Sequence, residues 1–464
     1  MIPSRISRIL RSHTFWRIVL FTLVGLAFFR RVAPLMPFTG DEPHYLLGTI
    51  SLVKDGDFNV YNNYANQDYR EFGYEQLHPQ RPEIRPGVLI TEHGIGFPAL
   101  LAIPWKIKKI AGVRYSLFLG ALLTIFLVAR CCDLLSGSPG TGTLAALLLG
   151  FCPTWLMHSR MVFPECTAGF ATALISLLLI LLSRNPDAPH ERARPFLLGL
   201  LFFFPAMYVR YIPLTVPLYL MIPFSPVLRR MRWLYAGFAS GALLLLAALI
   251  RFPEPGSIGA TNFAATGFNL AGAFDRLWLS WFDRNFGLAV YTPWVVLVFW
   301  AVVYYLPRLR PIRVGYTESA ALAVLGYCLM FGPWVQHPGD SVPGRYLCSA
   351  IPLMAILVAL WCRQGGSLLN PRTALAAALL CISAAFVAIS IRVPIQPYRL
   401  FRGYTGIFQA YWGLHWGDPN TGNSPRLLGL ALLSVLAATK LAASYRSRTA
   451  GGGRPRLAAP GASR

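Results

Sequence analysis

Long apolar runs recur along the whole chain, and they constrain its fold more than any other feature. A transmembrane helix needs about 20 consecutive apolar residues, and these runs are continuous rather than alternating, which argues against membrane strands. The candidate spans are 15–36, 114–133, 140–157, 166–182, 195–209, 211–224, 233–250, 289–305, 317–335, 347–362, 373–391 and 426–443. The pattern predicts an all-α polytopic membrane protein with about 12 transmembrane helices, in a range of about 11 to 13.

Composition supports a membrane protein and excludes a soluble nucleic-acid binder. Of the 464 residues, 55% are hydrophobic and 13% are charged, whereas a soluble domain carries about 25% charged residues. The formal net charge of +23 would suggest nucleic acid in a soluble protein. In a membrane protein, basic loops instead set the orientation, so we predict membrane lipids as partners and no nucleic acid. The eight cysteines have no C-x-x-C spacing, which predicts neither a disulfide framework nor a zinc cluster.

Two segments can be interpreted in more than one way. The stretch 94–111 is apolar enough to span, but Lys106, Lys108 and Lys109 favour an interfacial helix. The pair of spans within 195–224 is interrupted by several prolines, and proline removes a backbone hydrogen bond inside a helix. A kinked hairpin is therefore an alternative to two straight spans there.

Charge separates the two sides of the predicted membrane. If 94–111 stays outside, the basic short loops fall on one side, with Arg184, Arg192, Arg194, Arg229, Arg230, Arg232, Arg308, Arg310, Arg313, Arg363 and Arg372. The positive-inside rule then places both termini in the cytoplasm. The long loops 37–113, 251–288 and 392–425 lie outside, and the aromatic stretch 410–423 is either an interfacial belt or a surface facing a sugar or acceptor.

The predicted domain organisation is simple. Residues 1–443 form a single transmembrane domain, which begins with an uncleaved first helix because no small-x-small cleavage site follows it. Residues 37–113 are its first extracytoplasmic loop and carry interfacial helices. The Gly-, Pro- and Arg-rich residues 444–464 form a disordered basic cytoplasmic tail.

The first outside loop begins with an adjacent acid pair, Asp41 and Glu42, at the end of the first span. Ionisable residues at a membrane edge indicate function. The alternative is helix capping, because Pro43 suits the first turn of a helix that Asp41 would cap. His44 follows directly. Farther along the same loop, Glu92 and His93 could ligate a metal or bind substrate, although a single histidine is more often a local hydrogen-bonding group.

Three further charged residues lie on the same predicted side. Arg160 and Glu165 occupy the short turn after the span 140–157, where they could simply pair with each other. Arg345 precedes the span 347–362, where it is either an interfacial arginine or a guanidinium that binds phosphate with its planar set of donors. Two acids, one or two arginines and a metal candidate on one membrane face suit transfer chemistry at a lipid-borne phosphate.

These stretches resemble the GT-C glycosyltransferases, the polytopic class that includes protein O-mannosyltransferases and the aminoarabinose transferase of lipid A. The resemblance rests on GDEPHYLL, HGIGFPALLAIPW, the Arg160–Glu165 element, FDRNFGLAVYTPWVV and GRYLCSAIP, in that order. It implies a GT-C-like fold, a polyprenyl-phosphate sugar donor, and transfer on the outer face. The large C-terminal soluble domain of some members is not found.

The resemblance also implies roles for individual residues. Asp41 matches the acid that acts as the base at the end of the first helix, and Glu42 beside it would orient the reacting groups. Arg160, Glu165, Arg345 and its neighbour Tyr346 fall where members bind donor phosphate or organise the site. His44 and His93 are candidates for substrate binding, and Glu92 and His93 are candidates for a divalent metal, whose requirement stays open.

The sequence therefore predicts a membrane glycosyltransferase. It would move a hexosyl or pentosyl group from a polyprenyl-phosphate donor to a lipid, glycan or protein acceptor by a single inverting displacement. The predicted location is the bacterial cytoplasmic (inner) membrane, with the site on the extracytoplasmic side. A transporter or flippase for a lipid-linked sugar is the alternative, although transporters often contain two similar halves with charges at the midplane, and no internal repeat is visible here.

Overall fold

A computed structural model describes residues 13–32, 38–184, 192–251, 273–282, 287–308, 314–331, 344–364 and 370–392. Within these ranges the regular elements are helices, and the only β interaction is an isolated bridge between Arg85 and Val88. The predicted helical fold class is therefore confirmed. The predicted span 426–443, the aromatic stretch 410–423 and the basic tail 444–464 lie outside the described residues, and the single-domain assignment of 1–443 stays a prediction.

Nineteen α-helices follow one another in the ranges that the structure describes. They are α1 His13–Val32, α2 Glu42–Lys54, α3 Tyr61–Ala65, α4 Gly96–Ser136, α5 Pro139–Gly150, α6 Pro153–His158, α7 Glu165–Arg184, α8 Ala193–Leu201, α9 Ile212–Tyr219, α10 Met221–Phe224, α11 Pro226–Arg229, α12 Arg232–Arg251, α13 Ala273–Phe282, α14 Leu288–Tyr291, α15 Leu297–Tyr305, α16 Tyr316–Met330, α17 Arg345–Cys348, α18 Ile351–Arg363 and α19 Pro371–Arg392. Short 3₁₀ helices cover Asp68–Phe72, Phe204–Met207, Val209–Tyr211, Pro293–Val296 and Leu306–Arg308.

Five helices in the described ranges are long and apolar enough to cross a membrane. These segments are His13–Arg30, Gly96–Ser136, Glu165–Arg184, Arg232–Arg251 and Pro371–Ala388. Shorter apolar helices occupy Pro139–Gly150, Ala193–Ala206, Ile212–Phe224, Pro293–Arg308 and Ile351–Arg363. The membrane character is thus clear, while the full number of about 12 spans stays a prediction.

The segment 94–111 and the following span form one bent helix, α4. The bend lies at Lys108 and Lys109, whose backbone angles leave the helical region; Lys109 has φ +44°. Gly112 makes the bend sterically feasible, because a Cβ there would lie 2.1 Å from the Pro104 carbonyl oxygen. The kink separates the predicted interfacial segment from the span, within a few residues of the predicted boundary.

Two predicted spans are broken rather than continuous. The span 140–157 consists of α5 and α6, separated at Phe151–Cys152 just before Pro153. The region 195–224 is a series of short α and 3₁₀ segments, as the prolines in its sequence suggested. An interruption of this kind leaves backbone N–H and C=O groups without their helical hydrogen-bond partners. This is tolerated where other segments of the protein cover those groups.

Small residues bring two of the apolar helices into close contact. A Cβ at Gly199 of α8 would lie 2.1 Å from the Leu234 carbonyl oxygen, and one at Gly237 of α12 would lie 2.1 Å from the Phe196 carbonyl oxygen. Glycine at both positions therefore permits backbone contact between α8 and α12. This is the usual mode of helix association in membranes, where small residues allow close approach.

A buried ion pair connects the first helix to the end of α4. Arg17 donates to Asp133 through Nη1 at 2.7 Å and through Nη2 at 3.2 Å. Arg17 also donates to the hydroxyl of Thr143 and to the carbonyl oxygen of Pro139 in α5. The guanidinium therefore holds α1, α4 and α5 together at the predicted cytoplasmic side.

Candidate functional site

The acid pair lies at the start of α2, as its sequence suggested. Asp41 occupies the N-cap position, but its side chain accepts no hydrogen bond from the helix backbone. The expectation that the Asp41 side chain caps α2 is therefore wrong, although the position of the helix start is right. The carboxylate is instead directed to residues from distant segments.

Asp41 belongs to a chain of four charged side chains. The Arg345 guanidinium donates from Nη2 to Asp41 Oδ2 at 2.5 Å and from Nε to Glu165 Oε1 at 3.3 Å. Arg210 donates from Nη2 to the same oxygen of Glu165 at 2.5 Å. Arg345 thus bridges two carboxylates, and Glu165 in turn bridges two guanidinium groups.

The network is buried, and its charges balance. The side chains of Glu165, Arg210 and Arg345 are 0%, 3% and 6% exposed, while Asp41 is 21% exposed. Breaking such a buried pair would leave an uncompensated charge at a large cost in stability. Asp41 is therefore the member of the network that a ligand from outside reaches first.

Local charges also determine the protonation of Asp41. Burial raises its pKa, but the Arg345 guanidinium and His93 overcome that effect and hold the pKa well below its usual range. Asp41 additionally accepts a hydrogen bond from Gln80 Nε2 at 2.8 Å. Its carboxylate is thus ionised at neutral pH.

His93 is close to the same carboxylate. His93 Nε2 lies 3.5 Å from Asp41 Oδ1, a distance at the limit of hydrogen bonding, and neither ring nitrogen makes a hydrogen bond of good geometry. The ring packs against Tyr45 at 4.7 Å between centroids. The predicted substrate-binding residue therefore borders Asp41 with unused hydrogen-bonding capacity.

Glu42 has different surroundings from its neighbour. Its two carboxylate oxygens accept hydrogen bonds from the backbone N–H groups of Val162, at 2.7 Å, and Thr39, at 2.9 Å. Burial raises the pKa of Glu42 to about 7, despite these hydrogen bonds. Glu42 therefore connects the start of α2 to the turn before α7, and its hydrogen-bond partners differ from those of Asp41.

Arg210 is the member of the network that sequence reasoning missed. It interrupts the apolar region 195–224, and none of the sequence motifs above includes it. A charged residue inside an apolar segment is in itself a sign of function, so the signal was present. Its guanidinium also lies over the Tyr208 ring, with Cζ 4.3 Å from the centroid.

Arg160 does not join this network. The alternative in which Arg160 pairs with Glu165 is wrong, since Glu165 is bound by Arg210 and Arg345. Arg160 is 2% exposed, and its guanidinium lies over the Phe29 ring with Cζ 4.3 Å from the centroid. A role for Arg160 beside the Arg345 phosphate candidate is therefore not supported by its contacts.

The two remaining candidate residues, His44 and Glu92, lie outside the charged network. His44 Nδ1 is hydrogen-bonded to the Tyr64 hydroxyl at 2.5 Å, and burial lowers the pKa of His44 to about 4. His44 lines a small cavity together with Gln80 and Glu92. His44 and Glu92 thus lie near Asp41 without bonding to it.

Glu92 and His93 do not complete a metal site in the described part of the chain. No group of three or more His, Cys, Asp or Glu side chains there is arranged to hold a metal ion. Among the described residues, the donor set therefore does not fit the metal that the resemblance allowed.

An apolar groove lies close to Tyr211, which is hydrogen-bonded to the charged network. Its volume is about 440 Å³, and its lining includes Leu52, Ile95, Ala99, Phe203, Phe204 and Leu244. Phe204 stacks on Tyr211 at 6.1 Å, and the Tyr211 hydroxyl accepts a hydrogen bond from Arg210 at 3.1 Å. Tyr211 therefore links the groove to Arg210.

Tyr346 lies near the guanidinium of Arg345. Its ring stacks on Phe331 at 5.3 Å between centroids, and Arg345 Cζ lies 5.9 Å from the Tyr346 ring centroid. Phe163 also lies against the guanidinium, with Arg345 Cζ 3.9 Å from its ring centroid. The aromatic rings restrict the orientation of Arg345 toward its two carboxylates.

Comparison with solved structures identifies proteins with a similar fold. The structure of ArnT from Cupriavidus metallidurans bound to undecaprenyl phosphate matches with a TM-score of 0.54 and 14% sequence identity, over 85% of this chain and 69% of ArnT. The apo structure of the same protein matches with a TM-score of 0.52 and 15% identity, over the same shares. The chain has the GT-C fold. The fold implied by the sequence resemblance is thereby confirmed.

A more remote similarity extends to the oligosaccharyltransferase of Archaeoglobus fulgidus, tethered to an acceptor peptide. The TM-score is 0.47 with 11% identity, over 82% of this chain and 56% of that protein, and a similarity this weak supports no argument. No protein-family model and no curated protein matches the sequence. Function must therefore be argued from the site.

Proposed function

We propose that this protein is an integral membrane glycosyltransferase that moves a sugar from a polyprenyl-phosphate donor to an acceptor. One observation carries the proposal: Asp41, Glu165, Arg210 and Arg345, from four distant segments, form one buried network, and Tyr211 links that network to an apolar groove. A donor of this class combines a phosphate with a hydrocarbon chain. The arginines suit the phosphate, and the groove suits the chain.

Arg345 is the residue we assign to the donor phosphate. Its guanidinium is bound by two carboxylates, and the one from Asp41 is the more exposed. An arriving phosphate would replace Asp41 as a partner of Arg345, while Glu165 and Arg210 keep the guanidinium in position. Charge that develops on the departing phosphate is then stabilised in a poorly hydrated site, where such stabilisation is largest.

The same exchange activates Asp41 as the general base. While it is paired with Arg345, its pKa is well below the usual range, so it is a weak proton acceptor. Loss of that pair raises its basicity at the moment when the donor is bound. Asp41 then accepts the proton of the acceptor's nucleophilic group, whose oxygen or nitrogen forms a bond to the anomeric carbon. The bond from that carbon to the phosphate oxygen breaks, and the polyprenyl phosphate leaves with the electron pair.

One displacement inverts the anomeric configuration. Glu165 and Tyr346 act as positioning residues for Arg345, and His93 borders the acceptor side of Asp41. We place the site on the extracytoplasmic face of the bacterial inner membrane, with both termini in the cytoplasm, as the basic loops indicate. A lipid, glycan or protein acceptor fits this placement.

The decisive experiment combines a variant with an assay in which the donor is supplied to one leaflet at a time. The purified protein is reconstituted in liposomes with donor lipid supplied to the outer or the inner leaflet, and transfer to acceptor is measured. Asp41→Asn should lower kcat by about 10²- to 10⁴-fold, the usual contribution of a general base. Asp55→Asn, which removes an exposed carboxylate from the same loop, should behave as wild type.

Two outcomes contradict the proposal. Full transfer activity in a correctly inserted Asp41→Asn protein would refute the base assignment. Movement of the donor lipid between leaflets without sugar transfer would instead identify a flippase, the alternative that membrane arginines and an apolar groove would also suit.

A further inference from the structure

His93 is a buried side chain whose polar atoms serve no partner within the fold. Only 5% of the residue is exposed, yet neither Nδ1 nor Nε2 has a hydrogen-bond partner among the residues that the structure describes. Burying an unpaired polar group lowers stability, so each such group in a native protein calls for an explanation. A bound ligand that uses the imidazole supplies one.

Two tyrosines restrict the position of the imidazole. The Tyr45 ring lies 4.7 Å from it between centroids, and the Tyr208 ring lies 6.5 Å from it and nearly parallel, at 21°. Tyr45 is on α2, where its backbone N–H donates to the carbonyl oxygen of Asp41. The Tyr45 hydroxyl is also buried, with no hydrogen-bond partner in the described part of the chain. Unused polar atoms on two touching side chains therefore adjoin the start of α2.

One nitrogen of the imidazole faces the proposed base. His93 Nε2 lies 3.5 Å from Asp41 Oδ1. The ring hydrogen of a neutral imidazole therefore belongs on Nε2, because a lone pair there would face the lone pairs of the carboxylate. Gln80 donates to the same oxygen of Asp41 at 2.8 Å, which leaves that oxygen a further lone pair. A hydrogen-bond donor and an acceptor thus lie side by side.

This pair of groups fits a hydroxyl. A hydroxyl has one hydrogen and two lone pairs, so it can donate to Asp41, accept from His93, and keep one lone pair for the attack. A neutral amine has a single lone pair, which a bond from His93 would occupy. The lone pair of an amide nitrogen is delocalised into the C–N bond. Nitrogen nucleophiles therefore suit this position poorly.

A phosphate group also fits poorly beside Asp41. A phosphate monoester carries nearly two negative charges at neutral pH, because its second pKa is about 6, and it would meet the ionised carboxylate. Like charges in contact are strongly unfavourable. The cations of the network do not offset this, since Arg345 is assigned to the donor phosphate and Arg210 is bound by Glu165.

We propose that His93 binds the attacking group of the acceptor and that this group is a hydroxyl, carried by a lipid alcohol or by a sugar on a lipid. The inference rests on the proposed transferase function and narrows its acceptor to an alcohol. Asp41 takes the hydroxyl proton, and the oxygen forms its bond to the anomeric carbon. The bond from that carbon to the donor phosphate breaks, and the phosphate leaves with the electron pair. The His93 N–H stabilises the negative charge that grows on the attacking oxygen.

The first test compares acceptors that share an octyl chain. Full-length protein in liposomes receives a short-chain polyprenyl-phosphate hexose or pentose together with octanol, octyl glucoside, octanamide or octyl phosphate, and release of polyprenyl phosphate is measured. At least one of the two alcohols should support release about tenfold faster than the amide and the phosphate, because only a hydroxyl satisfies both groups. The faster of the two alcohols distinguishes a lipid alcohol from a sugar.

The second test changes His93. His93→Phe keeps an aromatic ring and removes both nitrogens, so the KM for the preferred alcohol should rise about 3- to 10-fold, the usual contribution of a hydrogen bond. The KM for the donor should be unchanged. His93→Gln, which offers an amide N–H in place of Nε2, should restore most of the affinity. The matched control His78→Phe removes an exposed histidine of the same loop and should behave as wild type.

A thermal measurement separates binding from folding. His93→Phe removes two unpaired buried nitrogens, so its melting temperature should be equal to or above that of wild type. A lower melting temperature, with activity that His93→Gln does not restore, would make His93 a structural residue and overturn the proposal.

Three kinetic results would also contradict the proposal. Faster release with octyl phosphate or octanamide would refute the hydroxyl while leaving the transferase function intact. An unchanged acceptor KM in His93→Phe would remove His93 from the acceptor site. An increase in the donor KM alone would assign His93 to the donor. Absence of release with all four acceptors would instead count against the transferase function itself.

Discussion

At the residue scale, the site consists of buried charges that depend on one another. Glu165 is fully buried, and one of its oxygens accepts hydrogen bonds from both Arg210 and Arg345. Neither arginine could be inferred as its partner from sequence, because the obvious candidate was the nearby Arg160. The contacts therefore identify Arg210 and Arg345, and not Arg160, as the partners of Glu165.

Loss of Arg210 should destabilise the protein. Arg210→Gln removes one of the two cations around Glu165, and breaking a buried pair costs about 3 to 5 kcal/mol. The measurement is the denaturant midpoint of the purified protein, with exposed Arg230→Gln as the control. The double variant Arg210→Met with Glu165→Gln should recover part of the loss, because no buried charge then lacks a partner. An unchanged midpoint in Arg210→Gln would show that the pair does not stabilise the fold.

Glu42 should make stability pH-dependent near neutrality. Its pKa is raised from 4.5 to about 7 in the folded protein, so the folded state binds the proton more tightly than the unfolded state. The corresponding stability is fully present below pH 4.5 and is lost as the pH rises through 7. A shift of this size corresponds to about 3 kcal/mol.

The test compares wild type with Glu42→Gln from pH 4.5 to 8. At each pH, the free energy of unfolding of Glu42→Gln is subtracted from that of wild type. This difference should fall steadily up to about pH 7 and then level off. His44 titrates in both proteins, so the difference isolates Glu42. Parallel pH curves would contradict the raised pKa.

At the element scale, glycines and prolines determine where helices touch and where they break. Pro153 and the prolines of 195–224 mark interruptions that the structure contains. Gly112 accommodates the bend of α4, which turns the helix just before Arg114. The bend therefore separates the predicted interfacial part of α4 from its predicted span.

The contact between α8 and α12 should be sensitive to a single methyl group. Gly237→Ala places a Cβ 2.1 Å from the Phe196 carbonyl oxygen, so the helices must separate, at a cost of about 1 to 3 kcal/mol. The control Gly120→Ala has no atom within 4 Å of the added Cβ, and it should be neutral or slightly stabilising because alanine favours helix. Thermal denaturation of both variants checks the difference, and equal melting temperatures would exclude close backbone contact.

At the scale of the whole molecule, the proposal requires all the site residues to face one side of the membrane. The acids and arginines come from segments hundreds of residues apart, and they meet in the folded chain. The predicted sidedness depends on the charge bias of the loops and on keeping 94–111 outside the membrane.

Cysteine labelling tests that sidedness. Glu75 is exposed in the first long loop, and Arg230 is exposed in a predicted cytoplasmic loop. In a Cys381→Ser background, which removes the one exposed cysteine of the described residues, an impermeant maleimide added to spheroplasts should label Glu75→Cys and not Arg230→Cys. Labelling of Arg230→Cys alone would reverse the topology.

By itself, the sequence determined the helical membrane class, the start of α2 and the candidate positions Asp41, Glu165 and Arg345, because apolar runs and isolated charges are local signals. The tertiary structure alone decided that Arg345 bridges Asp41 and Glu165, that Arg210 is the second partner of Glu165, and that Arg160 lies over Phe29, apart from this network. Pairings between segments far apart depend on how helices bend and pack. A local pattern shows that a buried charge needs a partner, but only the packed chain determines which partner reaches it.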